Sequence, residues 1–349
     1  MKQLKLGSPQ FSLLQKLCNA IAVSGVEAEV RHIIRSEVEP FADEIKVDAI
    51  GNLLAIKHSK KSRGLRVLIA AHMDEVGLMV VARDGDGFYQ FKKIGGIAAH
   101  HLAGKQVLAG RTHHPGVIGT PPIHTLTTDA LKKSIDLDDL RIDVGKNIEL
   151  RIGERVTFAT SFQRVGSSIM AKSIDDRIGV ASLIELIKKA PSNLEVCAAF
   201  TAQEEIGGRG AGVAARAFKP DIAIVIDATP AYDLPAHNPQ DNKNFNSVLG
   251  NGPVIYVADK YTLYNRGLIE FMKTTAERMG IPYQLRQPGG GGTDAAAIHQ
   301  VLDGIPSIAV SVPHRYPHSP ISLARISDWQ DTLNLLHNAL GLITPSSIR

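Results

Sequence analysis

Hydrophobic residues follow a helical pattern first and a strand pattern next. Apolar side chains recur at helical spacing over residues 9–38, and Ser24-Gly25 interrupts the pattern. An alternating stretch over residues 45–56 then predicts a hairpin. The short apolar run over residues 66–71 predicts a strand that belongs to a sheet covered on both faces.

The pattern changes between about residues 73 and 164. Strand-like alternation dominates there, Gly and Pro punctuate it, and helical periods are few. A chain of 349 residues is also longer than a single core usually supports. We therefore predict a small β domain over residues 73–164, inserted into a main domain built from residues 1–72 and 165–349.

Strands and helices alternate from about residue 165 onward. We predict helices near residues 176–190, 208–217, 263–279, 294–303 and 326–341, and strands near residues 195–202, 221–227, 282–286 and 305–312. Such alternation indicates a parallel sheet with helices on both faces. The predicted fold class is α/β, with a mostly parallel mixed sheet flanked by helices.

Composition and charge add little to this picture. Hydrophobic residues make up 44% of the chain and charged residues 21%, which is typical of a soluble globular protein. The net charge is only +4, and the basic run over residues 57–66 is short, so we expect a solvated loop and no nucleic-acid partner. No secretory pattern and no apolar run long enough for a membrane span is present. We expect a cytoplasmic protein that does not bind membranes.

Side chains that can bind metals follow four predicted strands and open one predicted helix. They are His72 and Asp74, Glu204 and Glu205, Asp227, His314 and His318 after the strands, and Asp175 and Asp176 at the helix start. Because ligands bind at the carboxyl ends of strands in such sheets, we expect these groups to meet at one edge.

Carboxylates and imidazoles are the ligands of zinc and similar ions at catalytic sites. Two His, two Asp and one Glu would suffice for two metal ions that share a bridging carboxylate. A spare Glu beside a ligand would be placed to act as a general base on a water. Each group alone has an ordinary explanation, since Asp at a helix start usually caps the helix. Five independent groups at one predicted edge favour the metal site.

Six motifs resemble one family in their order and spacing. They are AHMDEVG (71–77), KSIDDRIG (172–179), TAQEEIGGRGA (201–211), VIDAT (225–229), GGGTDA (290–295) and PHRYPHSP (313–320). This set is similar to the co-catalytic metallopeptidases of the tetrahedral and glutamyl aminopeptidase family, some members of which have been labelled endoglucanases. The resemblance covers nearly the whole chain. It implies a zinc-peptidase-like main domain with an inserted, small β-barrel-like domain.

The resemblance implies two divalent metal ions per subunit, zinc first, with cobalt or manganese as alternatives. His72 and Asp227 would bind one ion, and Glu205 and His318 the other. Asp175 would bridge the two ions. His314 is the less favoured of the two C-terminal histidines as a ligand.

The resemblance also implies catalytic roles and an assembly. Glu204 would be the general base and then the proton donor to the leaving amine, and Asp74 would orient His72. The Asp175–Asp176 peptide bond would be cis. The inserted domain over residues 73–164 would form dimers, and the dimers a hollow dodecamer. The expected activity is removal of N-terminal residues from short peptides.

Three other functions remain as alternatives at this stage. The chain could be a deacylase of N-acyl amino acids, which also hydrolyses an amide bond. It could be a metal-dependent glycoside hydrolase, although glycosidases normally use two carboxylates without a metal pair, and Trp329 is the only tryptophan. It could also be a peptide-binding protein without activity, against which the intact set of ligands and Glu204 argue.

Overall fold

The structure is a computed structural model that describes residues 3–61, 64–125, 127–128, 133–235, 247–286 and 290–348. Its strands are β1 (Glu44–Val47), β2 (Leu53–Lys57), β3 (Leu65–His72), β4 (Gly77–Arg83), β5 (Phe88–Ile94), β6 (Gln106–Ala109), β7 (His114–Gly119), β8 (Arg141–Asp143), β9 (Arg155–Phe158), β10 (Gln163–Val165), β11 (Ser168–Ala171), β12 (Leu194–Thr201), β13 (Ile222–Pro230), β14 (Val254–Tyr256), β15 (Gln284–Arg286), β16 (Ser307–Arg315) and β17 (Ser322–Arg325).

The helices flank the strands along the chain. They are α1 (Ser8–Asn19), α2 (Ala28–Val38), α3 (Ile174–Lys188), α4 (Arg209–Phe218), α5 (Arg266–Met279), α6 (Ala295–Ile298) and α7 (Ile326–Leu342). Within the described ranges, none of these helices has the length and apolarity that crossing a membrane requires.

The main sheet runs in the order β1-β2-β12-β3-β13-β16-β17-β11-β10, with β14 and β15 attached beside β16. Strands β12, β3, β13 and β16 are parallel, and they are apolar and buried along most of their lengths. Antiparallel strands extend both edges, which makes the sheet mixed. The predicted fold class is confirmed, and its parallel part is the centre of the sheet.

Helix α3 forms the centre of the main core and positions the start of the candidate site. Nearly all of its residues are buried, and it packs against β3 and β13. Its one buried hydroxyl, that of Ser182, donates to the carbonyl of Ile178 and accepts the indole N–H of Trp329 at 2.9 Å. Because this helix is enclosed, the surrounding core fixes its first turn, which carries Asp175 and Asp176.

Strands β4 to β9 form a separate closed barrel in the order β4-β5-β8-β7-β6-β9. All of them lie between Gly77 and Phe158, inside the predicted insertion. The barrel has its own cluster of buried apolar side chains, which is distinct from that of the main sheet. The exact boundaries at residues 73 and 164 stay a prediction. Strand β10 (Gln163–Val165) spans the second of these boundaries and pairs with β11 in the main sheet.

Two helical predictions differ in extent from the structure. The pattern over residues 9–38 forms two helices, and the segment between them contains Gly25 with a φ of +86°. Only glycine adopts such a backbone readily, so the interruption seen in the sequence is a real break. The helix predicted over 294–303 is shorter than expected and ends at Ile298.

Candidate metal centre

The candidate ligands meet at the carboxyl ends of the central parallel strands. His72 ends β3, Asp227 lies in the second half of β13, and Asp175 lies in the first turn of α3. Glu205 and His318 follow β12 and β16. All five side chains, together with Glu204, line one cavity of about 750 Å³. The cluster expected at one sheet edge is thus present.

Asp175 lies between the two halves of the cluster. Its Oδ1 is 3.1 Å from Nε2 of His72, and that same nitrogen is 3.8 Å from Oδ1 of Asp227. Its Oδ2 is 3.8 Å from Nε2 of His318, which lies 3.3 Å from Oε2 of Glu205. Each oxygen of Asp175 therefore faces a different histidine, as a bridging carboxylate would require.

Asp176 belongs to the same cluster, although the sequence suggested no specific role for it. Its carboxylate groups with those of His72 and Asp227, with all three ligand atoms within 4.8 Å of one another. Asp176 is fully buried, and among the described residues only one of its oxygens has a hydrogen-bond partner, the backbone N–H of Gly179 at 3.1 Å. The peptide bond between Asp175 and Asp176 is cis, as the resemblance implied.

Burial and neighbouring charges shift the pKa values of the acidic groups in directions that fit a site for cations. Burial raises the pKa of Glu204 and of Asp227 well above their usual range, and raises the pKa of Glu205 to about 7. Asp175 behaves oppositely: burial opposes ionisation, but the hydrogen bond from His72 leaves its pKa below the usual value. Several buried carboxylates with few positive partners cannot all ionise unless cations balance them. The donor set therefore fits divalent metal ions.

Asp74 contacts more of the site than the sequence indicated. Nδ1 of His72 lies 3.1 Å from the backbone carbonyl of Asp74 and 3.6 Å from its carboxylate. The carboxylate accepts the backbone N–H groups of Glu204 at 2.9 Å and Glu205 at 3.2 Å, and the hydroxyl of Ser24 at 2.6 Å. Asp74 thus fixes the backbone of both glutamates in addition to holding His72.

His314 lies beside the cluster and is fully buried. Its Nε2 is 3.9 Å from Oδ2 of Asp175, and neither ring nitrogen has a hydrogen-bond partner among the described residues. Burial lowers the pKa of His314 to about 4, so the ring is neutral. His318, which the sequence preferred as a ligand, is the histidine that contacts Glu205.

Comparison with known families points to one class of enzyme. The sequence profile described as M42 glutamyl aminopeptidase matches residues 51–335. A putative aminopeptidase of Acetivibrio thermocellus is 36% identical over 337 residues, covering 95% of this chain and 98% of its own length. The lysyl aminopeptidase of Pyrococcus furiosus is 32% identical, covering 96% of this chain and 98% of its own.

Solved structures agree with this comparison. A TET aminopeptidase from a marine sediment Thaumarchaeota archaeon superposes with a TM-score of 0.91 at 31% identity, covering 97% of this chain and 98% of its own. The TET1 peptidase of Pyrococcus horikoshii gives a TM-score of 0.82 at 32% identity, covering 94% and 98%. That peptidase can assemble into a tetrahedron or a large octahedral shell.

Proposed function

This chain belongs to the M42 glutamyl aminopeptidase family, and from that membership we propose that its cavity holds two divalent metal ions. We assign His72 and Asp227 to one ion, Glu205 and His318 to the other, and Asp175 to both. The observation that carries this assignment is the position of Asp175, whose two oxygens face different histidines. The chain is a metal-dependent aminopeptidase, which sets aside the deacylase and glycosidase alternatives.

When bound, the metal ions supply Lewis acidity, which activates a water and polarises the carbonyl of the peptide bond to be cleaved. We assign Glu204 as the residue that accepts the proton of that water. Its side chain lines the cavity, and its backbone N–H is fixed by Asp74. The same carboxyl can then return the proton to the leaving amine, because it stays within the enclosed site.

Removal of residues from the N-terminus follows from the charge of the cavity. Metal ions and carboxylates border one another in the cavity, so the free α-amine of the substrate can bind a metal ion or contact a neighbouring carboxylate there. An internal peptide segment has no such amine and loses this interaction. The carboxylate surroundings of the site therefore favour cleavage of the first peptide bond of short peptides.

Zinc is the ion that we propose first, because histidine and carboxylate ligands in this number suit catalytic zinc. Cobalt and manganese can occupy similar sites. A metal-free preparation should not hydrolyse aminoacyl p-nitroanilides, and addition of Zn²⁺, Co²⁺ or Mn²⁺ should restore hydrolysis to different extents. Turnover that persists in protein shown by elemental analysis to be free of metal would contradict the proposal.

We also propose that the chain forms a closed homo-oligomer, a dodecamer built from dimers, in the cytoplasm. The similar TET1 peptidase of Pyrococcus horikoshii can assemble into a tetrahedron, which supports a closed homo-oligomer for this chain. The two cysteines of this chain, Cys18 and Cys197, are free and buried, which suits a reducing compartment such as the cytoplasm. A hollow assembly would admit short peptides and exclude folded proteins.

A further inference from the structure

His314 occupies a position of the main sheet at which the strand is otherwise apolar. It lies in β16, and Val310 and Val312 share its face of the strand, because alternate residues of a strand point the same way. All three side chains are fully buried. A polar ring in such surroundings normally has hydrogen-bond partners, since burial of an unpaired polar group costs free energy.

The ring of His314 has no hydrogen-bond partner at either nitrogen among the residues that the structure describes. Burial lowers the pKa of His314 to about 4, so the ring is neutral, with a proton on one nitrogen and a lone pair on the other. An apolar side chain at this position would bury no unpaired polar group. The packing of β16 therefore does not account for a histidine here.

His314 faces the carboxylate that we assign to both metal ions. Its Nε2 is 3.9 Å from Oδ2 of Asp175, and no carboxylate of another described residue lies within 4.0 Å of its ring nitrogens. The same oxygen is 3.8 Å from Nε2 of His318. His318 lines the cavity, whereas His314 is fully enclosed and does not belong to the lining that the described residues form. Oδ2 of Asp175 thus has one histidine in the cavity and one in the protein interior.

A carboxylate that bridges two metal ions is usually held by hydrogen bonds as well, and such outer partners fix its orientation. Oδ1 of Asp175 now has Nε2 of His72 at 3.1 Å. That nitrogen stops donating once it becomes a metal ligand, so the loaded site requires another donor for Asp175. Each carboxylate oxygen has two lone pairs, and Oδ2 can accept a hydrogen bond while it binds an ion.

The distance from His314 to Asp175 is longer than a hydrogen bond in this metal-free structure. A hydrogen bond requires about 2.9 Å, so Nε2 and Oδ2 approach each other by about 1 Å when it forms. Hydrogen bonds of catalytic sites are often long in the empty enzyme and shorten in the occupied one. The enclosed ring is therefore placed to act in the loaded site.

We propose that His314 is a positioning residue, which donates a hydrogen bond from Nε2 to Oδ2 of Asp175 and holds this carboxylate between the two metal ions. This inference rests on the proposed function, because it requires metal ions in the cavity. It makes the ring of His314 unfavourable in the metal-free protein and favourable in the loaded protein. Removal of the ring should therefore change stability and metal affinity in opposite directions.

The first test uses His314→Leu, which replaces the ring with an apolar side chain of similar size. Without metal, the variant should melt no lower than the wild type, because an unpaired buried polar group is gone. Calorimetry should show an affinity about 10-fold to 100-fold lower for at least one of the two zinc ions. In excess zinc the wild type should melt higher, since weaker binding stabilises the variant less. A lower melting temperature of the metal-free variant, or unchanged zinc affinities, would overturn the proposal.

The second test separates donation to Asp175 from direct binding of a metal ion. His314→Gln keeps an N–H group near the position of Nε2 and has no imidazole nitrogen, so its zinc affinities should be much closer to wild type than those of His314→Leu. X-ray absorption on the zinc-loaded wild type should count two imidazole ligands for two ions, those of His72 and His318. Three imidazole ligands, or a glutamine variant as weak as the leucine variant, would overturn the donor role.

His337→Leu is the matched control for loss of a histidine ring. His337 lies in α7, and its pKa is lowered by burial and by Lys189, which follows the C-terminal end of α3, whereas Asp175 lies at the other end of that helix. This change should leave both zinc affinities as in the wild type. A wild-type protein that binds fewer than two zinc ions would contradict the proposed function, and this inference with it. Two ions bound equally tightly by the wild type and His314→Leu would remove this inference alone.

Discussion

Gly96 of the barrel lies directly against the ring of His318 in the main domain. A Cβ atom added to Gly96 would be 2.8 Å from Nδ1 of His318. Gly95 is similarly enclosed, since a Cβ there would be 2.7 Å from Val76 and 3.5 Å from Cβ of Glu205. The barrel therefore shapes one half of the candidate metal centre, although none of the predicted ligands lies between Gly77 and Phe158.

Gly96→Ala should displace His318 and weaken binding of one of the two metal ions. Changes to groups that orient a metal ligand typically cost about 10-fold to 100-fold in metal affinity. Metal titration by calorimetry should show one site weakened and the other retained. Gly119→Ala in β7 is the control, because a Cβ there meets only a carbonyl at 3.8 Å. Two sites of wild-type affinity in Gly96→Ala would contradict the role of Gly96.

Glu204 and Glu205 should respond differently to the same substitution. Glu204→Gln removes the proposed proton acceptor, so turnover should fall by about 10²-fold to 10⁴-fold with both metal ions retained. Glu205→Gln removes a proposed ligand, so metal content should fall first. Elemental analysis beside kinetic assays on both proteins separates the two effects. Near wild-type turnover in metal-loaded Glu204→Gln would exclude Glu204 as the base.

Metal affinity should fall as the pH is lowered. Burial raises the pKa of Glu205 to about 7, so in the metal-free protein this group is protonated below that pH. A cation must then displace the proton, which releases protons and weakens binding under acidic conditions. Calorimetry at pH 7 in two buffers of different ionisation enthalpy should reveal this release. Identical metal affinities at pH 6 and pH 8 would contradict the prediction.

The sequence alone predicted the site residues that lie at the end of a single apolar strand. His72 and Asp227 break apolar runs, and parallel strands bring such breaks to one edge of the sheet. The roles of Asp175 and Glu205 were predicted only through the family resemblance. An Asp at a helix start is usually a cap, and two adjacent glutamates are usually a solvated pair.

The remaining features depend on contacts between distant segments. Gly96 is one of many glycines in a β-rich region, and only the barrel's approach to His318 distinguishes it. His314 lies at a strand end, but only the fold shows that both of its ring nitrogens lack a hydrogen-bond partner among the described residues. No local pattern carries such information, which explains why the strand ends were found and these features were not.

The proposed assembly predicts a particle far larger than one chain of 37.6 kDa. Light scattering on metal-loaded protein should give a mass well above about 100 kDa, as expected for a shell of many subunits. Ile152 of the barrel is 76% exposed in the isolated chain. If the barrel builds the dimer, Ile152→Lys should reduce the mass, whereas Lys92→Gln at another exposed barrel position should not. A monomer under all metal conditions would exclude the shell and leave the two-metal site unaffected.

Lys172 and Glu75 form a buried pair that connects the beginning of the barrel to the turn before Asp175. Nζ of Lys172 lies 2.8 and 2.7 Å from the two oxygens of Glu75 and donates to the carbonyl of Ala20 at 2.9 Å. Burial opposes ionisation of Glu75, but Lys172 leaves its pKa below the usual value. The stabilisation that the ionised Glu75 provides is therefore present above the pKa of a glutamate in the unfolded chain. It is lost as the pH falls through the pKa of Glu75 in the folded protein.

Lys172→Met should destabilise the metal-free protein, because Glu75 then keeps Arg177, at 3.5 Å, as its one ion-pair partner among the described residues. Removing one partner of a buried pair costs about 3–5 kcal/mol. Thermal melting should show a clear fall, and the double variant Lys172→Met with Glu75→Gln should recover part of it, since the buried carboxylate charge is gone and Arg177 keeps its bonds to the carbonyls of Met73 and Leu17. Lys188→Met removes a more exposed lysine that pairs with Glu37, so the expected loss is below about 1 kcal/mol. If the double variant melts lower than Lys172→Met, Glu75 stabilises this junction through its bonds to Ala22 and Ser173 and not through the ion pair.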